Sequence, residues 1–480
     1  MQNSSLLTKF KSLWGIKPEF RLKVCLMSLT FLLMTACQVI WRPLKMAIFS
    51  KMVGPTYVPN AKIFSLFILI PLILIYSHLI DWVRRHHLLY CFTILHGIGG
   101  LIFFYFLSDP ITGIANTIIN PSRWLGWAFY FFMESFDAFF STTFWSFADS
   151  ISTPKDARNY YGFFASGSKL GGILSAGGLY LILQYSSAAE HVSILPNSLL
   201  FGSLMLFGAA ASIYWLIKRV PEGKMHGYEA VYKLETNRHE GSHGFFASVK
   251  SAFEGLFIII KNPYVLGIFS LVIFYEVIIV IFDYWVMIEA HGAYETPGAM
   301  TAFYTLQYFI MNVIGLVVSL FGTTPILRIL GVRMSLFVFP VICLILLVIT
   351  MIHPVTWVLA GTLIGLRTFN YALNHPTKEV LYIPTTKAIK FKAKGWTDAF
   401  GSRMAKSIGS VFNLSIKNIP PAMGLMLSIS LSLGLTSLWL IIIYFLGKTL
   451  QQAIDQRKVI GDVAEGESIE LAEDIHEPSK

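Results

Sequence analysis

A small set of charged residues lies inside long apolar runs, and these are the residues of this sequence that could do chemistry. Arg42 and Lys45 are three apart, as are Glu134 and Asp137, and again Arg403 and Lys406. That spacing puts the members of each pair on one helix face. Glu276 and Asp283 are seven apart and share a face in the same way. Lys169, Arg367 and Lys378 complete the set, with Asp149 at the inner end of its run. An ionised side chain at the centre of a bilayer costs about 2.5–3.5 kcal/mol or more, so it persists where it lines a polar pathway or pairs with another charge. For Asp137, Asp149, Asp283 and Arg367 both readings stand. The cations Arg42, Lys45, Lys169, Arg403 and Lys406 point to an anionic ligand, because Arg binds phosphate through a bidentate fork and Lys as a point charge. Catalytic patterns are missing: there is no Ser-His-Asp set, zinc spacing or dinucleotide fingerprint. Gly401-Ser402-Arg403-Met404-Ala405-Lys406-Ser407 imitates a phosphate-binding loop, but Ala405 stands where the second glycine belongs and no strand pattern precedes it. The expectation is a non-enzyme with no cofactor and no metal.

The elements that carry these charges must be membrane helices. Only 13% of the 480 residues are charged, 55% are hydrophobic and the mean hydropathy is +0.62. A soluble domain carries roughly 25% charged residues. The composition therefore excludes a cytosolic enzyme, a disordered chain and a secreted disulfide scaffold. The four cysteines sit in apolar runs without metal or disulfide spacing. A helix crosses the bilayer in about 20 residues, and the apolar runs predict spans near 22–46, 61–81, 86–107, 122–146, 159–184, 197–218, 263–288, 299–322, 334–352, 354–377, 397–416 and 422–446. The first run has basic residues before it and no evident cleavage site. With the N-terminus inside, the inner segments and the span ends beside them hold 27 Lys and Arg and the outer ones four, the asymmetry expected of cytoplasmic loops. The net charge of +10 thus reflects topology rather than nucleic-acid binding.

This layout predicts an all-α polytopic membrane protein of twelve helices in a major-facilitator-like six-plus-six arrangement. Its parts are a cytoplasmic tail (1–21), a six-helix bundle (22–218), a cytoplasmic linker (219–262), a second six-helix bundle (263–446) and an acidic cytoplasmic tail (447–480). Both termini are placed in the cytoplasm and the chain in the cell's inner membrane, with the lipid bilayer as its partner and the oligomeric state open. Arg42 and Lys45 fall on span one, Glu134 on span four, Glu276 on span seven and Lys378 on span ten. These are the first helices of the three-helix repeats in such a transporter, whose substrate site lies at the repeat interface.

Two stretches of sequence carry a family resemblance. Asn370-Tyr371-Ala372-Leu373-Asn374-His375-Pro376-Thr377-Lys378-Glu379-Val380-Leu381-Tyr382-Ile383-Pro384 resembles the Asp-Pro-Thr-Lys-Glu and Tyr-Ile-Pro segment of the bacterial and plastid-type ATP/ADP translocases. Lys392-Ala393-Lys394-Gly395-Trp396-Thr397-Asp398 and Gly401-Ser402-Arg403-Met404-Ala405-Lys406-Ser407-Ile408-Gly409-Ser410 follow it as in that family. The resemblance implies a transporter of ATP, ADP or related nucleotides working by alternating access. It also implies substrate-binding roles for Lys45, Glu134, Glu276 and Lys378; the pattern of intramembrane charge adds Arg42 to Lys45 and Lys378 as cations for the substrate phosphates, with Arg403 and Lys406 as helpers. Asp137, Asp283 and Lys169 are candidates for proton coupling or ion pairs. The chain departs from the pattern at Arg42-Pro43-Leu44-Lys45-Met46, where the family has two aspartates, and at His375, where it has one. Two other readings keep the fold: a proton-coupled carrier of another organic anion, and a non-transporting paralogue.

Overall fold

The computed structural model describes residues 18–82, 85–152, 154–221, 255–321, 323–382, 384–386, 389, 393–456 and 459–461. Much of the expected N-terminal tail, linker and acidic tail lies outside these residues. The elements in order are α1 (Pro18–Met52), α2 (Val58–Trp82), α3 (Arg85–Ser108), α4 (Trp124–Ser150), α5 (Pro154–Tyr185), α6 (Ala188–Arg219), α7 (Pro263–Ala293), α8 (Pro297–Phe321), α9 (Thr323–Ile352), α10 (Thr356–Phe369), α11 (His375–Val380), α12 (Ser402–Ile416) and α13 (Pro421–Asp455). No strand forms among the described residues; an isolated bridge joins Thr385 and Ile460. Helices prevail because lipid offers no hydrogen bonds, so each span must satisfy its own backbone.

Every expected span falls on a helical stretch, but not every stretch is a plain α-helix. Among the described residues seven helices are long and apolar enough to cross a membrane. They correspond to α1, α3, α6, α7, α8, the part of α9 after its break at Gly331, and α13. The 27-residue α4 and 32-residue α5 have the length but carry polar residues in mid-helix, Glu134 and Asp137 in one and Ser166, Ser168 and Lys169 in the other. The expected spans 354–377 and 397–416 are interrupted by π-helical turns at Asn370–Asn374 and Thr397–Gly401. At the first, the His375 N–H reaches the Asn370 carbonyl, five residues back. The next residue, Pro376, has no N–H to offer the Ala372 carbonyl and its ring would crowd it, so the helix widens there. At the second, the Ser402 N–H reaches the Thr397 carbonyl.

The described residues form two compact units. The first is drawn from Met1–His243 with Met287–Val313, the second from Gly244–Val286 with Ile314–Lys480.

In the first unit α1 is the axis. Gly167 and Gly171 of α5 sit against the α1 backbone: a Cβ there would lie 2.5 Å from the Ser28 carbonyl oxygen and 2.4 Å from that of Leu32. Small residues of this kind let membrane helices approach closely. The fully buried Trp41 packs where Gly100 of α3 and Gly202 of α6 leave room for its ring. Thr35 donates to Ser168 at 2.9 Å and Ser212 to the Leu26 carbonyl at 3.1 Å, tying α1 to α5 and α6. The buried Lys23 donates to the Ile151 carbonyl at the C-terminal cap of α4, where a cation meets the negative end of the helix dipole. Ser187 and Glu190 close a capping box at the start of α6. The loop between α3 and α4 is built around Arg123, which donates to the carbonyls of Thr112, Gly113, Asn116 and Ile118. Met287–Val313 belongs to this unit through contacts such as Lys51 Nζ to the His291 carbonyl at 2.9 Å. His191 also packs in the space left by Gly298.

In the second unit α7, α9 and α13 share a core around Leu271, Phe339, Trp439 and Ile443. Trp285 donates to Ser428 at 2.8 Å, and Asn413 of α12 to the Val280 carbonyl at 3.2 Å.

The α1–α5 contact leaves no room for a side chain. Gly171→Val is expected to cost about 1–3 kcal/mol of stability, the range for overpacking, in SDS-induced unfolding from mixed micelles. Gly178→Ala, whose Cβ would meet nothing within 4 Å, is expected to leave the midpoint unchanged or raised. Equal behaviour of the two variants would remove the close-approach argument.

Candidate functional site

Each unit contains its own ion-pair cluster, built from facing helices. In the first unit the Lys45 ammonium is held between two carboxylates of α4, 2.9 Å from Glu134 Oε1 and 3.0 Å from Asp137 Oδ2. The three-residue spacing of Glu134 and Asp137 makes this clamp, since both project from one face of α4 toward α1. Asp137 is shared: Arg42 Nε approaches it at 3.3 Å and Gln38 Nε2 donates to its Oδ1 at 3.0 Å. The Lys45, Glu134 and Asp137 side chains are 9%, 16% and 12% exposed, whereas Arg42 is 35% exposed. Lys45 is therefore the enclosed centre of the cluster and Arg42 its open edge. Lys45 also stands 5.6 Å from the Tyr130 ring centroid, and the Arg42 guanidinium 6.0 Å from that of Tyr308, distances at which a cation is attracted to the ring face.

In the second unit Arg367 of α10 pairs with Asp283 of α7. One helical face of α7 thus carries Asp283 with a guanidinium and, seven residues earlier, Glu276 with Lys406 of α12 at the longer distance of 3.7 Å. A third pair, Lys394 with Glu379 at 2.6 Å, brackets the segment after α11; the Lys394 ammonium lies 5.6 Å from the Tyr382 ring.

The residues expected from sequence divide into two groups. The structure brings Lys45, Arg42, Glu134 and Asp137 together, and separately Glu276 with Lys406. It places Asp283 on Arg367. Arg403 lies half-buried on α12, three residues from Lys406. Lys169 on α5 and Lys378 on α11 are half-buried, and neither has an ion-pair partner within 4 Å among the described residues. Gln38 was not among the sequence candidates. Its signal was available, since it precedes Arg42 by four residues and shares that face. The Lys394–Glu379 pair bridges fifteen positions across a break in the helix, and no spacing rule could have found it. No group of three or more His, Cys, Asp or Glu residues fit to hold a metal occurs among the described residues.

Chemically, both clusters neutralise their own charge, with cations balanced by carboxylates. Lys169 and Lys378 add positive charge that no described carboxylate offsets at contact distance. Such an arrangement suits an anion that exchanges with a carboxylate for the same ammonium.

The helical architecture is that of membrane transporters of the major-facilitator type. A bacterial homologue of the iron transporter ferroportin, solved in an inward-facing state, superposes with a TM-score of 0.61 at 13% identity, covering 90% of this chain and 100% of that one. The nucleoside transporter NupG superposes with a TM-score of 0.56 at 14% identity, covering 89% and 99%. At sequence level residues 1–450 match the family model of the TLC ATP/ADP transporters. The chain belongs to that family. It is 26% identical over 398 residues to ADP,ATP carrier protein 1 of Chlamydia muridarum, covering 74% of this chain and 72% of the relative. It is 22% identical over 475 residues to ADP,ATP carrier protein 4 of Rickettsia bellii, covering 86% of each. The protein is a multi-pass membrane transporter and not an enzyme.

A pair in low dielectric behaves differently when one or both partners are removed. Asp283→Leu alone is expected to lower stability by up to about 3–5 kcal/mol, the cost of stranding a buried charge. Asp283→Leu with Arg367→Leu is expected to recover much of that loss. A thermal-stability double-mutant cycle reads the coupling, and additive single effects would show that the pair holds nothing together.

Proposed function

We propose that this protein moves nucleotides across the bacterial inner membrane by alternating access, exchanging one phosphorylated anion for another, with both termini in the cytoplasm. The observation that carries the proposal is the Lys45 clamp, an enclosed ammonium already held by two carboxylates, in a chain of the ATP/ADP transporter family. Homologues named as ADP,ATP carriers support the nucleotide as substrate. The excess of basic residues on the inner segments supports the orientation.

Glu134 and Asp137 hold Lys45, Asp283 holds Arg367, and Glu276 stands 3.7 Å from Lys406. A polyphosphate offers the same cations stronger acceptors and more negative charge. Within the first unit it would take Lys45 and the exposed side of Arg42 from the carboxylates and would neutralise Lys169; within the second unit Lys378 is the cation that it would neutralise. Arg403, near Lys406 on α12, adds a further donor. Loading then changes which charges are paired within each unit. A ligand shifts a conformational equilibrium only through such a difference in affinity between states. The carboxylates keep the empty carrier from leaving bare cations in the membrane, where they would be costly.

Labelled ATP or ADP is expected to enter proteoliposomes preloaded with nucleotide and to enter unloaded vesicles slowly. Lys45→Gln and Lys378→Gln are each expected to cut uptake about tenfold or more, where tenfold corresponds to about 1.4 kcal/mol. Absence of uptake for every nucleotide tried would refute the transport reading. Uptake driven by an imposed pH gradient, without internal nucleotide, would replace exchange by proton symport.

A further inference from the structure

In the second unit the start of α7 and the end of α13 leave a groove between them that none of the ion pairs uses. It measures about 540 Å³ and is walled by Leu266, Gly267, Ile442, Phe445 and Leu446, within the roughly 300–1,000 Å³ of ligand clefts. Gly267 deepens it: a Cβ there would lie 2.9 Å from Leu446 Cδ2. The lining runs along α7 from Pro263 to Ser270 and along α13 from Thr449 back to Ile442. Seven residues of helix cover about 10 Å. Leu266 and Phe445 are 41% and 60% exposed on helices long and apolar enough to cross a membrane, so in a bilayer the groove opens to acyl chains. Ile460 completes the lining at the helix ends. Its N–H donates to the Pro384 carbonyl at 2.8 Å and its carbonyl accepts from Thr386 N–H at 3.2 Å, which holds it in place.

The polar groups of the groove are sorted by depth. The deep Ser270 hydroxyl donates to the Leu266 carbonyl at 2.9 Å, and the Tyr264 hydroxyl to the Leu381 carbonyl at 2.8 Å, so the chain itself uses both. At the mouth, Asn262 Oδ1 accepts from Tyr264 N–H at 3.0 Å. The Asn262 amide nitrogen and the Thr449 hydroxyl have no hydrogen-bond partner among the described residues. Lys261 and Lys448, their neighbours in sequence, are exposed, and neither has an ion-pair partner within 4 Å among the described residues. The one acid of α13, Asp455, accepts from Gln451 at 2.8 Å. We propose that this groove holds one anionic phospholipid, its acyl chain along Leu266, Ile442 and Leu446 and its phosphate between Lys261 and Lys448. A soluble anion would find hydrogen-bonding groups only at the mouth, whereas the apolar walls below suit a hydrocarbon chain. Basic residues at a membrane surface favour anionic over neutral headgroups. Which leaflet supplies the lipid rests on the cytoplasmic placement of both termini proposed above. The groove and its chemistry depend neither on that placement nor on nucleotide transport.

The test reconstitutes the full-length protein in phosphatidylcholine vesicles, both leaflets carrying a trace of phosphatidylglycerol with a diazirine on its acyl chain. After irradiation, peptide mass spectrometry is expected to find adducts at 266–270 and 442–446 several-fold above those at the exposed Leu95 of α3. Added unlabelled phosphatidylglycerol is expected to suppress the groove adducts several-fold, and the same amount of added phosphatidylcholine to leave them. In Lys261→Gln/Lys448→Gln the two lipids are expected to compete equally. Gly267→Leu is expected to abolish the groove adducts and spare those at Leu95; the side chain it meets, the end of Leu446, can rotate away. Groove adducts no more frequent than those at Leu95, equal competition in the unsubstituted chain, or an unchanged preference in the lysine variant would each overturn the proposal. Should Gly267→Leu fail to fold, the lysine variant, which alters only exposed side chains, decides.

Discussion

The rest of this structure is organised around the cost of holding an ammonium ion in the membrane interior. Lys45 is nearly enclosed on α1, the central helix of its unit, and lipid cannot solvate it. Two carboxylates from one face of α4 meet it, and one of them is steadied by Gln38 and Arg42. To place those groups within 3 Å, α1 has to sit deep among its neighbours. The glycines of α5 against the Ser28 and Leu32 carbonyls, and the cavity for Trp41 made by Gly100 and Gly202, provide that depth. Packing that would be unremarkable elsewhere is here the condition for charge neutralisation.

The second unit meets the same constraint with a looser solution. Arg367 and Asp283 pair closely, Lys406 and Glu276 stand further apart, and the lysine-bearing helix is short and preceded by a π turn. A widened turn costs regular hydrogen bonding but re-aims the residues that follow it. Here it falls just before Pro376 and Lys378, and another falls just before Arg403 and Lys406. In both cases the irregular backbone immediately precedes residues that carry positive charge.

Family membership and this distribution of charge support one another without being the same statement. The match over residues 1–450 defines the class of protein. The geometry adds what a family match cannot: which cations are already neutralised by carboxylates and which are not. An ammonium with a built-in carboxylate partner and one without it respond differently to an incoming phosphate, because the first must exchange a ligand and the second gains one.

The sequence by itself determined the solvent, the number of apolar runs and the helices that carry charge. Those follow from local composition, because a residue's transfer cost to lipid does not depend on its distant neighbours. It also determined the pairing of faces at Glu134 and Asp137, since helical periodicity is local. The tertiary structure alone decided that Asp137 belongs to Lys45, Arg42 and Gln38 together, that Arg367 takes Asp283, and that Lys169 and Lys378 have no ion-pair partner within 4 Å among the described residues. Partner choice depends on how deeply two helices approach and how they are rotated, and both are set by packing residues scattered along the chain. The return of Ile460 to Pro384 and Thr386 was likewise invisible in sequence. A backbone bridge is made by groups that every residue shares, and only the fold brings those two segments side by side.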